Sequence, residues 1–145
     1  MSRHGILGVF ALFACLLLAW PSLAQQTQEL WVARQDGWAP AGIAVDSTGN
    51  AYVTGFICAA TDPYWGCTEI DWETVNYDTN GNALWTARFA GDGNSYNYPS
   101  AIAVDASSNV YVSGDICTEL DTDGVVVWCG SSDYSTIKYD PNGAM

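Results

Sequence analysis

Histidine is all but missing from this chain. Its one copy, His4, stands before an apolar run, Ile6–Trp20, that ends at Pro21 and the small residues Ser22-Leu23-Ala24. A short positive start, an apolar run and a small-residue site are the marks of a secretory signal, here residues 1–24. The run is shorter than the ~20 residues that a spanning helix needs, which argues against a single membrane anchor. A chain that sheds His4 keeps no imidazole. That excludes Ser-His-Asp and Cys-His catalysis, histidine acid–base steps and zinc sites built on histidine.

Cations are nearly as scarce. In residues 25–145, three of them (Arg34, Arg88 and Lys138) stand against 16 acidic residues, a net charge of −13. Counterion-releasing contacts need clustered Lys and Arg, so nucleic acid is excluded as a partner, and so is a membrane surface after signal cleavage. Sustained helical periodicity is also lacking outside the signal, which excludes a helical bundle. Residues 25–145 suffice for one small domain.

What the sequence does have is repetition. Ile43–Gly55, IAVDSTGNAYVTG, returns as Ile102–Gly114, IAVDASSNVYVSG. Each copy reads as strand, Asp-containing turn, strand. Two further repeats run in the same order: DWETVNYDTNG from Asp71 against DYSTIKYDPNG from Asp133, and ELWVARQ (Glu29–Gln35) against ALWTARF (Ala83–Phe89). Asn-Gly at the end of the first pair suits a hairpin turn that needs positive φ. The spacing predicts an all-β chain of four-stranded antiparallel blades of the β-propeller type, about two of them. The blade strands are expected over 41–89 and 100–140, with an extra N-terminal strand over 29–35. The structural alternative is a parallel β-helix, whose rungs are shorter and lack these hairpin turns.

Four cysteines remain after the signal: Cys58, Cys67, Cys117 and Cys129. An even count in an exported chain reads as disulfides. Of three connectivities, Cys58–Cys67 and Cys117–Cys129 follow from the repeat, since Cys58 and Cys117 hold one repeat position and each precedes its own second cysteine. Loops of that size gain roughly 2–3 kcal/mol apiece on the loop-entropy account.

These residues resemble a family. IAVD-x-x-GN-x-YVTG, a strand ending KYD-x-NG and the following LW-x-AR are similar to the bacterial β-propeller repeat called SBBP, and more distantly to NHL repeats. The resemblance spans Glu29–Met145 and implies a scaffold rather than an activity. It also implies a ring of several blades, where this chain supplies about two. Glu29–Gln35 is a fourth-type strand without its blade, and the last set stops short of its fourth strand. Further blades are therefore expected as partners, by head-to-tail self-association or within a longer chain of which this sequence is a part.

In an up-and-down blade the turns alternate between the two ends of the sheet. One end here holds the short turns Asp46–Asn50, Asp78–Asn82, Asp105–Asn109 and Asp140–Gly143, whose Asp and Asn residues read as turn formers. The other end holds the long loops Asp36–Pro40, Ala59–Ile70, Ala90–Pro99 and Thr118–Ser132. These carry the candidate ligand residues Trp38, Tyr64, Trp65, Tyr96, Tyr98 and Trp128, with Asp62, Glu69, Asp92 and Glu119 among them. Flat rings beside carboxylates suit carbohydrate, because rings cover sugar C–H faces and carboxylates accept hydroxyl bonds. The alternative is that these aromatics pack the loops onto their disulfides.

No cofactor is expected. Asp121 and Asp123 before Gly124 are a weak calcium candidate, because the rest of a twelve-residue cation loop is missing. The function expected is an exported non-enzymatic module for binding, adhesion or scaffolding, with a glycan or a surface protein as ligand. The alternative is a carbohydrate-active enzyme fragment working through carboxylates such as Asp62, Glu69 or Glu119, although nothing marks a catalytic pair.

Overall fold

The computed structural model describes residues 29–37, 39–91, 96–122 and 127–145. The signal segment 1–24, Trp38, Asp92 and Asp123 lie outside the described residues. Seven strands form two antiparallel sheets. The first holds β1 (Ala39–Val45), β2 (Ala51–Asp62), β3 (Gly66–Tyr77) and β4 (Ala83–Phe89), in that order. The second holds β5 (Tyr98–Val104), β6 (Val110–Thr122) and β7 (Val127–Tyr139). Each strand pairs with the next in sequence, so each sheet is a meander.

The two sheets repeat one another down to register. Ile43 pairs with Val53 and Ala44 with Tyr52 in the first; Ile102 pairs with Val112 and Ala103 with Tyr111 in the second. Both inner strands shift register just after a proline, Pro40 in one and Pro99 in the other. Proline has no N–H to give to the ladder, so a strand start and an irregularity are where it fits.

The sheets stack face on face. Tyr52 and Trp72 of the first are buried against Val110, Val112, Ile137 and Tyr139 of the second, with Trp85, Ala87, Phe89, Ile102, Val104 and Ile116 closing around them. The inner strands approach closely: a β-carbon on Gly42 of β1 would lie 3.0 Å from Ile102 Cγ2 of β5. Trp85 on β4 reaches across as well, its indole N–H donating to the carbonyl of Pro141 at 3.0 Å. This packing is that of neighbouring propeller blades, blade 1 being the sheet β1–β4 and blade 2 the sheet β5–β7.

Two expectations need correction. Residues 59–62, 66–70, 118–122 and 127–132 are strand and not loop. β2 and β3 stay paired out to Asp62 and Gly66, and β6 and β7 out to Thr122 and Val127, as two hairpin arms. Disulfides Cys58–Cys67 and Cys117–Cys129 cross these arms, each with Cα atoms 5.7 Å apart. The bridged cysteines are not ladder partners, since Cys58 faces Ile70 and Cys67 faces Thr61; each bridge spans the register shifts of its arm and ties the two strands together there.

The second correction is Glu29–Gln35, which joins no strand ladder. Its physical reason is positional. The segment is of the fourth-strand type, and the edge of β3 that would receive it is already taken by β4.

Candidate functional site

The two ends of the blades differ in what their carboxylates do. At the short-turn end Asp46, Asp78, Asp105 and Asp140 form four turns of one design. In each, the Oδ1 atom accepts backbone N–H groups two and four residues on, from Thr48 and Asn50, Asn80 and Asn82, Ser107 and Asn109, or Asn142 and Ala144. Burial acts to raise Asp46, but hydrogen bonds from Thr48, Asn50 and Tyr52 outweigh it and hold the carboxyl well below the usual range. At Asp105 the side chain and backbone of Asn109 lead, and the carboxyl falls to about 2. These acids are committed to the backbone and are poor proton carriers.

The opposite end is built by the arms and by the link between blades. At the tip of the first arm Asp62 Oδ1 accepts the N–H groups of Tyr64 (2.8 Å) and Trp65 (3.1 Å), and Gly66 takes φ 78°. A carboxylate that ties down both amides fixes the turn and sends the two rings outward. Tyr64 is 89 % exposed and Trp65 59 %. Packing onto the disulfide does not account for them.

The link is held by a residue that sequence reasoning misses. Asn97 is fully buried; its N–H donates to the Ile70 carbonyl (3.0 Å) and its side-chain amide to the Ala90 carbonyl (3.1 Å). Its Oδ1 accepts the N–H of Cys117 at 3.1 Å, so one amide joins both blades. Asn97 stands where the first repeat has Trp38, a departure from the repeat that is the one available signal.

Asn97 sits between two candidate residues and places both. Tyr96 bridges to Ile70, and Tyr98 opens β5 with its ring edge-on to Phe56, centroids 5.2 Å apart. Burial, then the neighbouring Tyr96, raises the Tyr98 phenol, so it stays a hydrogen-bond donor at neutral pH. Tyr96 and Tyr98 line a shallow cleft of about 260 Å³ with Asp115, Cys129, Gly130, Ser131 and Ser132. Asp115 is exposed and stands where blade 1 has Phe56.

The remaining candidates are spread along the arms. Glu69 lies on β3 opposite Ala60, and Glu119 on β6 opposite Ser131. Trp128 is half-exposed on β7 opposite Asp121, so Asp121 belongs to a strand ladder and not to a cation loop. Among the described residues no three carboxylates or cysteines gather as a metal centre.

A family model of the β-propeller repeat matches residues 39–55 and 84–116. In those residues the chain matches the SBBP β-propeller repeat. No curated protein matches it. The matched SBBP residues cover β1 with the start of β2, and then β4 through the link to β5 and β6. Both disulfides, Tyr64, Trp65 and Trp128 fall outside the match, the first bridge entirely and the second from Cys117 onward. The matched residues all lie in the scaffold, while β3, β7 and both disulfide-crossed arms fall outside them. Among the described residues no helix is long and apolar enough to cross a membrane.

Proposed function

We propose that this SBBP protein is an exported, non-enzymatic binding module whose ligand surface is the arm end of its blades, and that the ligand class is carbohydrate. The observation that carries the reading is the cleft of Tyr96, Tyr98 and Asp115. It joins two rings, a carboxylate and serine hydroxyls in a concave site, which is the chemistry that holds a sugar ring by its faces and its hydroxyls. The projecting Tyr64 and Trp65 extend the same end of blade 1. Two disulfides support an oxidising compartment, in line with the signal read at residues 1–24.

A glycan array probed with the disulfide-bonded chain, with and without calcium, tests this. The expected result is binding to a defined glycan subset that falls at least tenfold in Asp115→Asn and in Tyr96→Ala. An array on which no glycan binds, or binding that both substitutions leave intact, overturns it.

A further inference from the structure

Inside the chain, blade 1 presents one face and blade 2 the opposite face to a shared interface. The same two faces occur a second time on the molecule, with no blade packed against them. On blade 1, Val53, Val75 and Tyr77 hold the repeat positions of Val112, Ile137 and Tyr139 and line an apolar cavity of about 340 Å³. Ile43 on that face is 65 % exposed, although its counterpart Ile102 packs into the core. On blade 2 the uncovered face carries Tyr134, the counterpart of Trp72. Trp72 is 0 % exposed and Tyr134 86 %.

The segment 29–35 already stands on blade 1 as β4 stands on blade 2. A β-carbon on Gly81 would lie 2.8 Å from the Trp31 ring, and one on Gly143 2.8 Å from the Trp85 ring. Trp31 tilts on Tyr77 with centroids 6.1 Å apart, and Trp85 on Tyr139 at 6.0 Å. Among the described residues the chain therefore holds a fourth-strand segment without a third strand beside it, and in β7 a third strand whose sheet has no fourth.

We infer that a second copy of this chain docks the outer face of its blade 2 onto the outer face of blade 1, and receives residues 29–35 as a fourth strand beside its β7. What singles out a second copy as the occupant is that an interface of the same residue positions already forms within the chain, so the chain carries both halves of the contact. The inner packing sets the geometry. Tyr134 of the partner subunit lies over Gly55, as Trp72 lies over Gly114. The β3–β4 register, with Thr74 opposite Ala87 and Asn76 opposite Trp85, places the partner's Thr136 opposite Ala33 and the partner's Lys138 opposite Trp31. Such a contact is head-to-tail and propagates until it closes. Since propellers hold roughly four to eight blades, closure takes about two to four copies.

The test uses the full disulfide-bonded chain. Mass measurement in solution is expected to show a discrete assembly of copies, which Tyr134→Glu and Ile43→Glu each reduce to monomer with the strand spectrum intact. Both side chains are exposed in the single chain, so neither change disturbs its fold. In a mixture of Ala33→Cys and Thr136→Cys chains, oxidation is expected to link one variant to the other. A wild-type chain that is folded and monomeric at 100-fold dilution and at high concentration alike overturns the inference. So does an assembly that survives both Glu substitutions, or a mixture in which oxidation never links the two cysteine variants to each other.

Discussion

The indole of Trp72 occupies the space that a side chain on Gly114 would need: its Cζ2 lies 2.9 Å from the position of a β-carbon there. On its other flank the same methyl would strike the Tyr98 carbonyl and come within 2.6 Å of Pro99 Cα. Glycine at this point lets the central ring of one blade rest directly on the backbone of the next.

Gly114→Ala is therefore expected to destabilise the fold by about 3 kcal/mol or more, the upper range for overpacking, because backbone lies on one side and a fully buried ring on the other. Urea unfolding followed by tryptophan fluorescence measures it. The nearest atoms that Gly55→Ala meets are all β1 backbone, at Ala39 and Pro40, so it serves as the control for the part owed to Trp72. Equal losses at the two glycines would remove Trp72 from the explanation.

Ser108 takes φ 60° where the first repeat places Gly49 at φ 90°. A non-glycine residue there costs on the order of 1 kcal/mol, and the chain retains serine all the same. The Ser108 hydroxyl donates to Asp46 Oδ2 at 3.2 Å, from one blade to the other. A hydrogen bond to a charged acceptor offsets strain of that size. Ser108→Gly exchanges one for the other and is expected to leave stability within about 0.5 kcal/mol, whereas Ser108→Ala keeps the strain, loses the bond and costs about 1–2 kcal/mol. Thermal unfolding of the two variants side by side decides it.

How much of this is legible in the sequence depends on whether a residue's role is local. Asp46, Asp78, Asp105 and Asp140 form turns through amides at most four residues away, so their pattern alone identifies them. Cys58 and Cys117 share a repeat position, and that symmetry selects their partners. Glu29–Gln35 has the pattern of a strand but pairs with none, because β4 fills the β3 edge and the segment lies on Tyr77 and Gly81 of blade 1, away from the open edge of β7. The arms read as loops because polar, Gly-containing stretches such as Ala59–Gly66 look irregular until a disulfide and a ladder hold them. Asn97 gives no local signal because its hydrogen-bond partners Ile70, Ala90 and Cys117 come together only in the folded chain.

Asp71 gives the fold an unusual pH response. It is buried on β3, its Oδ1 has no hydrogen-bond partner, and burial followed by the nearby Glu69 raises its carboxyl above the ordinary 3.8, against a smaller opposing pull from Arg88. A carboxyl raised in the folded state binds its proton more tightly there than in the unfolded chain. Its penalty is fully present above the folded value and fades as pH falls toward the ordinary one. Asp71→Asn is thus expected to stabilise the fold at pH 7 on the order of 1 kcal/mol, with the two melting curves converging near pH 4. A difference that stays constant from pH 7 to pH 4 would show that charge burial at Asp71 is not its source.

The disulfides act on the arms more than on the blades. Loop entropy alone assigns about 2–3 kcal/mol to a bridge such as Cys58–Cys67 if losing it weakens the whole fold. The bridge, however, lies on the far side of Trp72 and Thr54 from the inner turn, in a hairpin arm whose residues from Ala59 to Thr68 are exposed or half-exposed. An arm with little buried apolar surface opens locally at lower cost than the core behind it. In the double variant Cys58→Ser, Cys67→Ser the loss in global stability is therefore expected to stay below about 1 kcal/mol, while chymotryptic cutting after Tyr64 or Trp65 rises at least tenfold. Trp65 fluorescence should become more mobile in step, because Asp62 then holds a turn whose flanking strands no longer stay paired. A global loss of about 2–3 kcal/mol with unchanged cutting would instead place the arm inside the cooperative core, and Tyr64 and Trp65 would then owe their posture to the blade and not to the bridge.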